Sequence, residues 1–167
     1  GGNVPGWPGE RWLDIRSANV QQIMLDRLDL AAAKGCDGVE PDWLHSFQSH
    51  TGFPISAGDQ LAYNRWLANS ARTRGLGIAL KNDLDQIPAL EPYFDFAVNE
   101  QCHEFDECGA YTPFLSASKP VFNAEYLSHW MTNGAARDSL CQAATAQGLH
   151  TLVLPVVLDD SFRYSCD

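Results

Sequence analysis

The chain has 167 residues, 45% of them hydrophobic and 11% aromatic, a composition that can bury one substantial core. Its formal charge of −10, with eleven Lys and Arg scattered and never in a run, excludes the basic patch that nucleic-acid binding requires. No apolar stretch of about eighteen residues occurs, so no membrane span is expected.

In chain order, Val20, Met24, Leu28 and Ala31 share one helical face with Ile23 beside them, and Lys34-Gly35 stops that helix. A strand follows at once, over 38–42. Ser56-Ala57-Gly58-Asp59 has the spacing of a capping box; it opens a second helix running through Leu61, Leu67, Ala68 and Ala71 to Arg74-Gly75. Another strand begins near Leu76 and ends at Lys81-Asn82-Asp83, and a further one spans 94–100. The stretch from Glu100 to Lys119 is polar and reads as a loop with a short helix. A strand over 121–125 comes next, then a helix opened near Asn133 and running through Leu140 and Ala144 to Gly148. The run over 149–158, rich in Val and Leu, closes the series. Apolar strands alternating with helices predict an α/β fold whose parallel sheet is buried on both faces.

Most of these strands end in a polar residue, and the residues gathered there include Glu40, Asp42, Asp83, Glu100 and Glu125. Carboxylates at the carboxyl ends of successive strands describe the mouth of a (β/α)8 TIM barrel, where that fold builds its active sites. A closed barrel needs roughly 250 residues, so five βα units in 167 residues predict a truncated one: a single partial barrel domain over 1–167 with about three N-terminal units missing. Side chains two apart on a strand share a face, so Glu40 with Asp42, and Lys81 with Asp83, are expected to converge. Burying so many ionisable groups together is costly unless they pair or serve chemistry. No C-x-x-C pair and no His/Cys ligand spacing occurs among the five cysteines and five histidines, so neither a metal nor a cofactor is expected. Cys102 and Cys108 bracket a polar loop and could form a disulfide, and Cys166 could tie back to Cys141. These pairings favour an oxidising compartment.

Several ordered motifs resemble glycoside hydrolase family 114, the endo-α-1,4-polygalactosaminidases. They are Gly35-Cys36-Asp37-Gly38-Val39-Glu40-Pro41-Asp42, Thr51-Gly52-Phe53, Asp59-Gln60-Leu61-Ala62-Tyr63-Asn64-Arg65-Trp66-Leu67, Gly77-Ile78-Ala79-Leu80-Lys81-Asn82-Asp83, Phe94-Asp95-Phe96-Ala97-Val98-Asn99-Glu100-Gln101-Cys102 and Val121-Phe122-Asn123-Ala124-Glu125-Tyr126. The resemblance spans most of the chain from Trp7 to Tyr126. The chain departs from the family pattern in having Trp43 after the Glu-Pro-Asp triplet, where Asn is expected, and in lacking counterparts of the first three barrel strands. The resemblance implies that the strands present are the fourth to the eighth. It implies a secreted, extracellular O-glycosyl hydrolase that cleaves α-1,4 linkages in galactosamine-containing polysaccharide or oligosaccharide. It further implies Asp42 as nucleophile and Glu100 as acid/base in a retaining mechanism, with Glu40, Lys81, Asp83, Asn99 and Glu125 around the sugar. Trp43 and Tyr126 would offer stacking faces, and the protein would act as a monomer.

Each of these residues also has a plainer reading. Asp42 could make a loop hydrogen bond, Glu100 an ion pair with Lys81, and Glu40 could orient Lys81 from within. Asn82 and Asp83 could cap a helix at Leu84, and Glu125 could form a rim salt bridge. Trp66 reads as core, and the five histidines as surface or loop residues. Lys81 among acids is expected to stay charged, as an electrostatic group rather than a Schiff-base nucleophile. An acidic cleft suits cationic amino sugars. Two other functions fit the residues: a metal-dependent, enolase-like lyase or isomerase, and a non-catalytic polysaccharide-binding barrel fragment.

Overall fold

The computed structural model describes residues 1–167, which divide into two compact units, Gly1–Asp95 and Phe96–Asp167. The first unit holds α1 (Ala18–Ala33), β1 (Gly38–Val39), α2 (Ala57–Arg72), β2 (Gly77–Lys81) and α3 (Ile87–Leu90), with short 3-10 turns between them. β1 and β2 pair in parallel, Gly38 opposite Gly77 and Val39 opposite Ile78. The two strands approach so closely that a Cβ on Gly38 would lie 2.9 Å from the Gly77 carbonyl oxygen, a separation only glycine permits. The expected strand over 38–42 is cut to two residues because Pro41 has no N–H to donate and Trp43 turns back with φ 57°.

The core of this unit is β2 itself: Ile78, Ala79 and Leu80 are fully buried, each large apolar side chain contributing about 1.5–3 kcal/mol by leaving water. Against it lies the stripe Gln60, Tyr63, Asn64, Leu67, Ala68 and Ala71 of α2, which recurs at the 3.6-residue period of a helix. The capping box that opens α2 is complete, with Asp59 N–H donating to Ser56 Oγ (3.1 Å) and Ser56 N–H to Asp59 Oδ2 (2.9 Å). α1 buries only Val20 and Leu28; Met24 and Ala31 join them in lining a cavity of about 550 Å³, and Ile23 stays exposed. Trp66 is half-buried rather than core, its ring tilted against Tyr63 at 5.5 Å.

The second unit holds β3 (Phe96–Glu100), α4 (Thr112–Ser116), β4 (Val121–Glu125), α5 (Ser128–Thr132), α6 (Gly134–Gln147), β5 (His150–Val153) and β6 (Tyr164–Ser165). β3, β4 and β5 run parallel in chain order, and β6, which the sequence did not suggest, pairs antiparallel with β5. Asn133 caps α6 by accepting from Ala136 N–H at 3.1 Å, and Gly148 ends that helix in the left-handed region at φ 79°. The expected run over 149–158 is a strand only as far as Val153. Pro155 interrupts the ladder, and Val156, Val157 and Leu158 are exposed. Burial on both faces holds for β2 but not here: β4 alternates, with Val121, Asn123 and Glu125 buried and Phe122 exposed. Two disulfides staple this unit, Cys102–Cys108 and Cys141–Cys166, and Cys36 in the first unit is a free, exposed thiol. No helix is long and apolar enough to cross a membrane.

Candidate active site

Charged residues gather where β1 and β2 end in the first unit. Extending the β1–β2 register along the pleat sets Glu40, Asp42 and Lys81 on one face. The side chains meet there, Lys81 Nζ donating to Glu40 Oε1 at 3.2 Å and lying 3.6 Å from Asp42 Oδ1. Lys81 is 8% exposed, so its ammonium needs these acids to offset lost hydration; the two carboxylates face solvent. Asp42 Oδ1 also accepts from Trp43 N–H at 2.8 Å. The loop hydrogen bond and the charge cluster thus share one carboxylate. Trp43 packs edge-on against Trp12, ring centres 4.7 Å apart, and Glu40, Asp42 and Trp43 form one wall of the α1 cavity, whose floor is largely apolar.

Asp83 does not join Lys81. Both Asn82 and Asp83 have left-handed backbones, φ 52° and 54°, so strand alternation stops at Lys81. Asp83 is buried, and its Oδ2 accepts from Asn64 Nδ2 at 3.0 Å while Oδ1 has no hydrogen-bond partner. It precedes the 3-10 turn at Leu84 without capping it through its side chain. Burial pushes its carboxyl up to about 7, with Asp85 adding to the effect and the Asn64 hydrogen bond opposing it. Asn64 also donates to the Leu44 carbonyl (2.8 Å), Gln60 donates to Asn64 (2.9 Å), and Ser46 donates to Gln60 (2.7 Å). This buried polar chain escaped the sequence reading, although polar residues inside the apolar stripe of α2 were its signal.

In the second unit Glu100 ends β3, and Tyr126 Oη donates to its Oε1 at 2.8 Å. The pairing of Asn99 with Asn123 and of Glu100 with Ala124 puts Asn99, Asn123 and Glu125 on one face of the ladder and Glu100 on the other. Asn99 is buried, donating to Tyr111 Oη at 2.9 Å and accepting from Cys102 N–H at 2.9 Å. Glu125 is 0% exposed; its Oε1 accepts from Asn123 Nδ2 (2.9 Å) and from His103 N–H (2.8 Å). Burial raises its carboxyl above the usual range, and those hydrogen bonds partly oppose the rise. Asn99 and Glu125 are therefore turned away from the Glu100 face, and Glu125 makes hydrogen bonds to a loop rather than a rim salt bridge. Asn123 and Thr151 extend the same buried polar row, 3.4 Å apart; the i, i+2 spacing of Asn123 and Glu125 was its signal. Ligand-type atoms of Cys102, His103 and Cys108 lie within 4.8 Å of one another, but both sulfurs are spent in the disulfide.

Within their own units, then, Glu40, Asp42 and Lys81 meet, as do Glu100 and Tyr126, whereas Asp83, Asn99 and Glu125 are committed to the interior. The chain's structure is similar to that of Aspergillus fumigatus Ega3, solved in complex with galactosamine, with a TM-score of 0.89 and 38% identity over 98% of this chain and 67% of that one. It shares its fold with the glycoside hydrolase domain of PelA from Pseudomonas aeruginosa, at a TM-score of 0.65 and 16% identity over 96% of this chain and 70% of that one. No curated protein matches it. The profile of glycoside-hydrolase family GH114 matches residues 1–167. The chain belongs to glycoside-hydrolase family GH114, the family of O-glycosyl hydrolases that its motifs resemble.

Proposed function

We propose that this chain hydrolyses α-1,4 linkages in galactosamine-containing polysaccharide with retention, Asp42 serving as nucleophile and Glu100 as acid/base. The observation that carries the substrate class is the 38% identity to Ega3, which was solved with galactosamine bound. The roles are supported by position: each carboxylate lies at or just beyond the carboxyl end of a parallel strand, where a (β/α) barrel builds its site.

In the first half-reaction the protonated Glu100 gives its proton to the departing glycosidic oxygen while Asp42 attacks the anomeric carbon, forming a glycosyl ester. In the second, ionised Glu100 takes a proton from water, which attacks the same carbon and releases Asp42. Retention requires the two carboxyl groups to lie about 5 Å apart across the sugar. The Lys81 ammonium, held by Glu40, orients Asp42 for attack. The Tyr126 hydroxyl donates to Glu100 Oε1 and fixes that oxygen. Trp43 offers a ring face to the sugar. The two disulfides suit an extracellular protein. Family membership favours hydrolysis over the metal-dependent lyase reading.

The test is kinetic and stereochemical. Asp42→Asn and Glu100→Gln are each expected to lower kcat on α-1,4-galactosamine oligomers by about 10²–10⁴-fold, and proton NMR of early products should show the α anomer. Unchanged rates in either variant, or a β product, would sink the assignment.

A further inference from the structure

We propose that Glu125 is a positioning residue for Glu100, acting through the loop that the Cys102–Cys108 disulfide closes; the inference rests on Glu100 being the acid/base. Glu125 cannot touch a substrate from where it sits, being fully buried on the face of the β3–β4 ladder opposite Glu100. A carboxyl group in such a place is costly unless its oxygens find hydrogen-bond donors.

Those hydrogen bonds end on the chain that leaves Glu100. Three successive amides after Glu100 have fixed acceptors on β3 and β4. Gln101 N–H donates to the Ala124 carbonyl at 2.8 Å, Cys102 N–H to Asn99 Oδ1 at 2.9 Å, and His103 N–H to Glu125 Oε1 at 2.8 Å. Between the first two the backbone passes through the left-handed region at Gln101, φ 67°, a conformation that persists in a non-glycine residue only when its surroundings over-determine it. The disulfide and the Glu107 N–H to Cys102 carbonyl hydrogen bond, 2.8 Å, close the loop back on its own start. Asn123 Nδ2 holds Glu125 Oε1 from beneath, at 2.9 Å. Glu125 thus anchors the third residue after Glu100, and with Asn99 it sets the direction in which the chain departs. That direction fixes the backbone from which the Glu100 carboxyl projects toward Tyr126. A misplacement of about 1 Å at a reacting group can cost on the order of 100-fold in rate, so an anchor this remote can act on kcat.

The side-chain geometry separates positioning from bulk stability. Glu125→Gln keeps an oxygen at the Oε1 position for both donors, and its amide nitrogen falls where Oε2 has no hydrogen-bond partner. Glu125→Asp keeps the charge but is one methylene too short, and Glu125→Ala removes the acceptor. We expect Glu125→Gln to hold kcat within about threefold of the parent. The Asp and Ala variants should lose at least tenfold in kcat per folded molecule, with KM within twofold and a displaced limb in the kcat–pH profile. Folded protein is counted by near-ultraviolet circular dichroism, and Glu100→Gln is run alongside. A folded Asp or Ala variant with kcat and pH profile unchanged overturns the inference. Failure of both shortened variants to fold while Glu125→Gln runs at full rate makes Glu125 an anchor of the fold alone, and overturns it too. Should Glu100→Gln itself be fully active, the acid/base assignment falls and this inference with it, a result recognisable from that variant alone. An inactive Glu100→Gln beside unaltered Glu125 variants removes only the positioning role.

Discussion

At the residue scale, the two interior carboxylates differ in what surrounds them. Glu125 accepts two hydrogen bonds, whereas Asp83 accepts one, from Asn64, and leaves Oδ1 without a partner. Burial outweighs that single bond and raises the Asp83 carboxyl from 3.8 to about 7. A folded-state value above the unfolded one means the native protein binds the proton more tightly. The associated stability is therefore complete below about pH 4 and is lost as pH rises through about 7. Ionising the buried group costs the fold at most about 4 kcal/mol, at about 1.4 kcal/mol per pH unit. Asp83→Asn keeps an oxygen for Asn64 and removes the titration. Urea midpoints between pH 4 and 8 should fall for the parent and stay flatter for the variant, which becomes the more stable of the two above pH 7. Parallel curves would show that Asp83 does not titrate in this window.

At the element scale, local chemistry set the helices and the strand ends alike. α2 opens with two reciprocal hydrogen bonds between Ser56 and Asp59, and its polar stripe members Gln60 and Asn64 are satisfied by Ser46, Leu44 and Asp83. Ser56→Ala removes the acceptor for Asp59 N–H at the exposed helix start and should cost about 1 kcal/mol. Equilibrium urea unfolding reads that loss directly, and a variant as stable as the parent would show that water satisfies the freed amide equally well. Strand ends obey different rules. Pro41 and Pro155 lack the N–H a ladder needs, and left-handed residues follow at Trp43 and Leu158. The run over 149–158 is apolar beyond the point at which it can pair. The left-handed pair Asn82–Asp83 does the same at the end of β2, and it is this turn that sends Asp83 to Asn64.

At the scale of the molecule, the covalent crosslinks are unevenly shared: both lie in Phe96–Asp167, and the first unit has only the free thiol of Cys36. Cys141–Cys166 ties α6 to the residue after β6 across 25 positions, and closing a loop of that length in the unfolded chain is worth about 3.5 kcal/mol on chain-entropy grounds. The six-position Cys102–Cys108 loop is worth about 2.2 kcal/mol. Replacing Cys141 and Cys166 together by Ser should therefore lower unfolding free energy more than the same replacement at Cys102 and Cys108. The reverse order in urea titrations would mean that residual structure in the unfolded chain, not loop length, controls the effect.

The sequence by itself determined the family, the alternation of helices and parallel strands, the capping box at Ser56, the Asn133 start of α6, and the acids at the strand ends. These are local properties, written in spacing and in the hydrogen-bonding capacity of neighbouring residues. It also brought Glu40, Asp42 and Lys81 together, since the two-residue period of an extended chain is enough for that. Only the tertiary structure decided which acids face solvent and which are buried in the interior. Asp83 leaves the Lys81 face through two left-handed residues. Asn99 and Glu125 lie opposite Glu100 because the β3–β4 register pairs Glu100 with Ala124. Register and backbone handedness follow from packing and from distant hydrogen-bond partners such as Asn64 and His103. Those partners lie 19 and 22 positions from the acids they hold, beyond the reach of any local pattern.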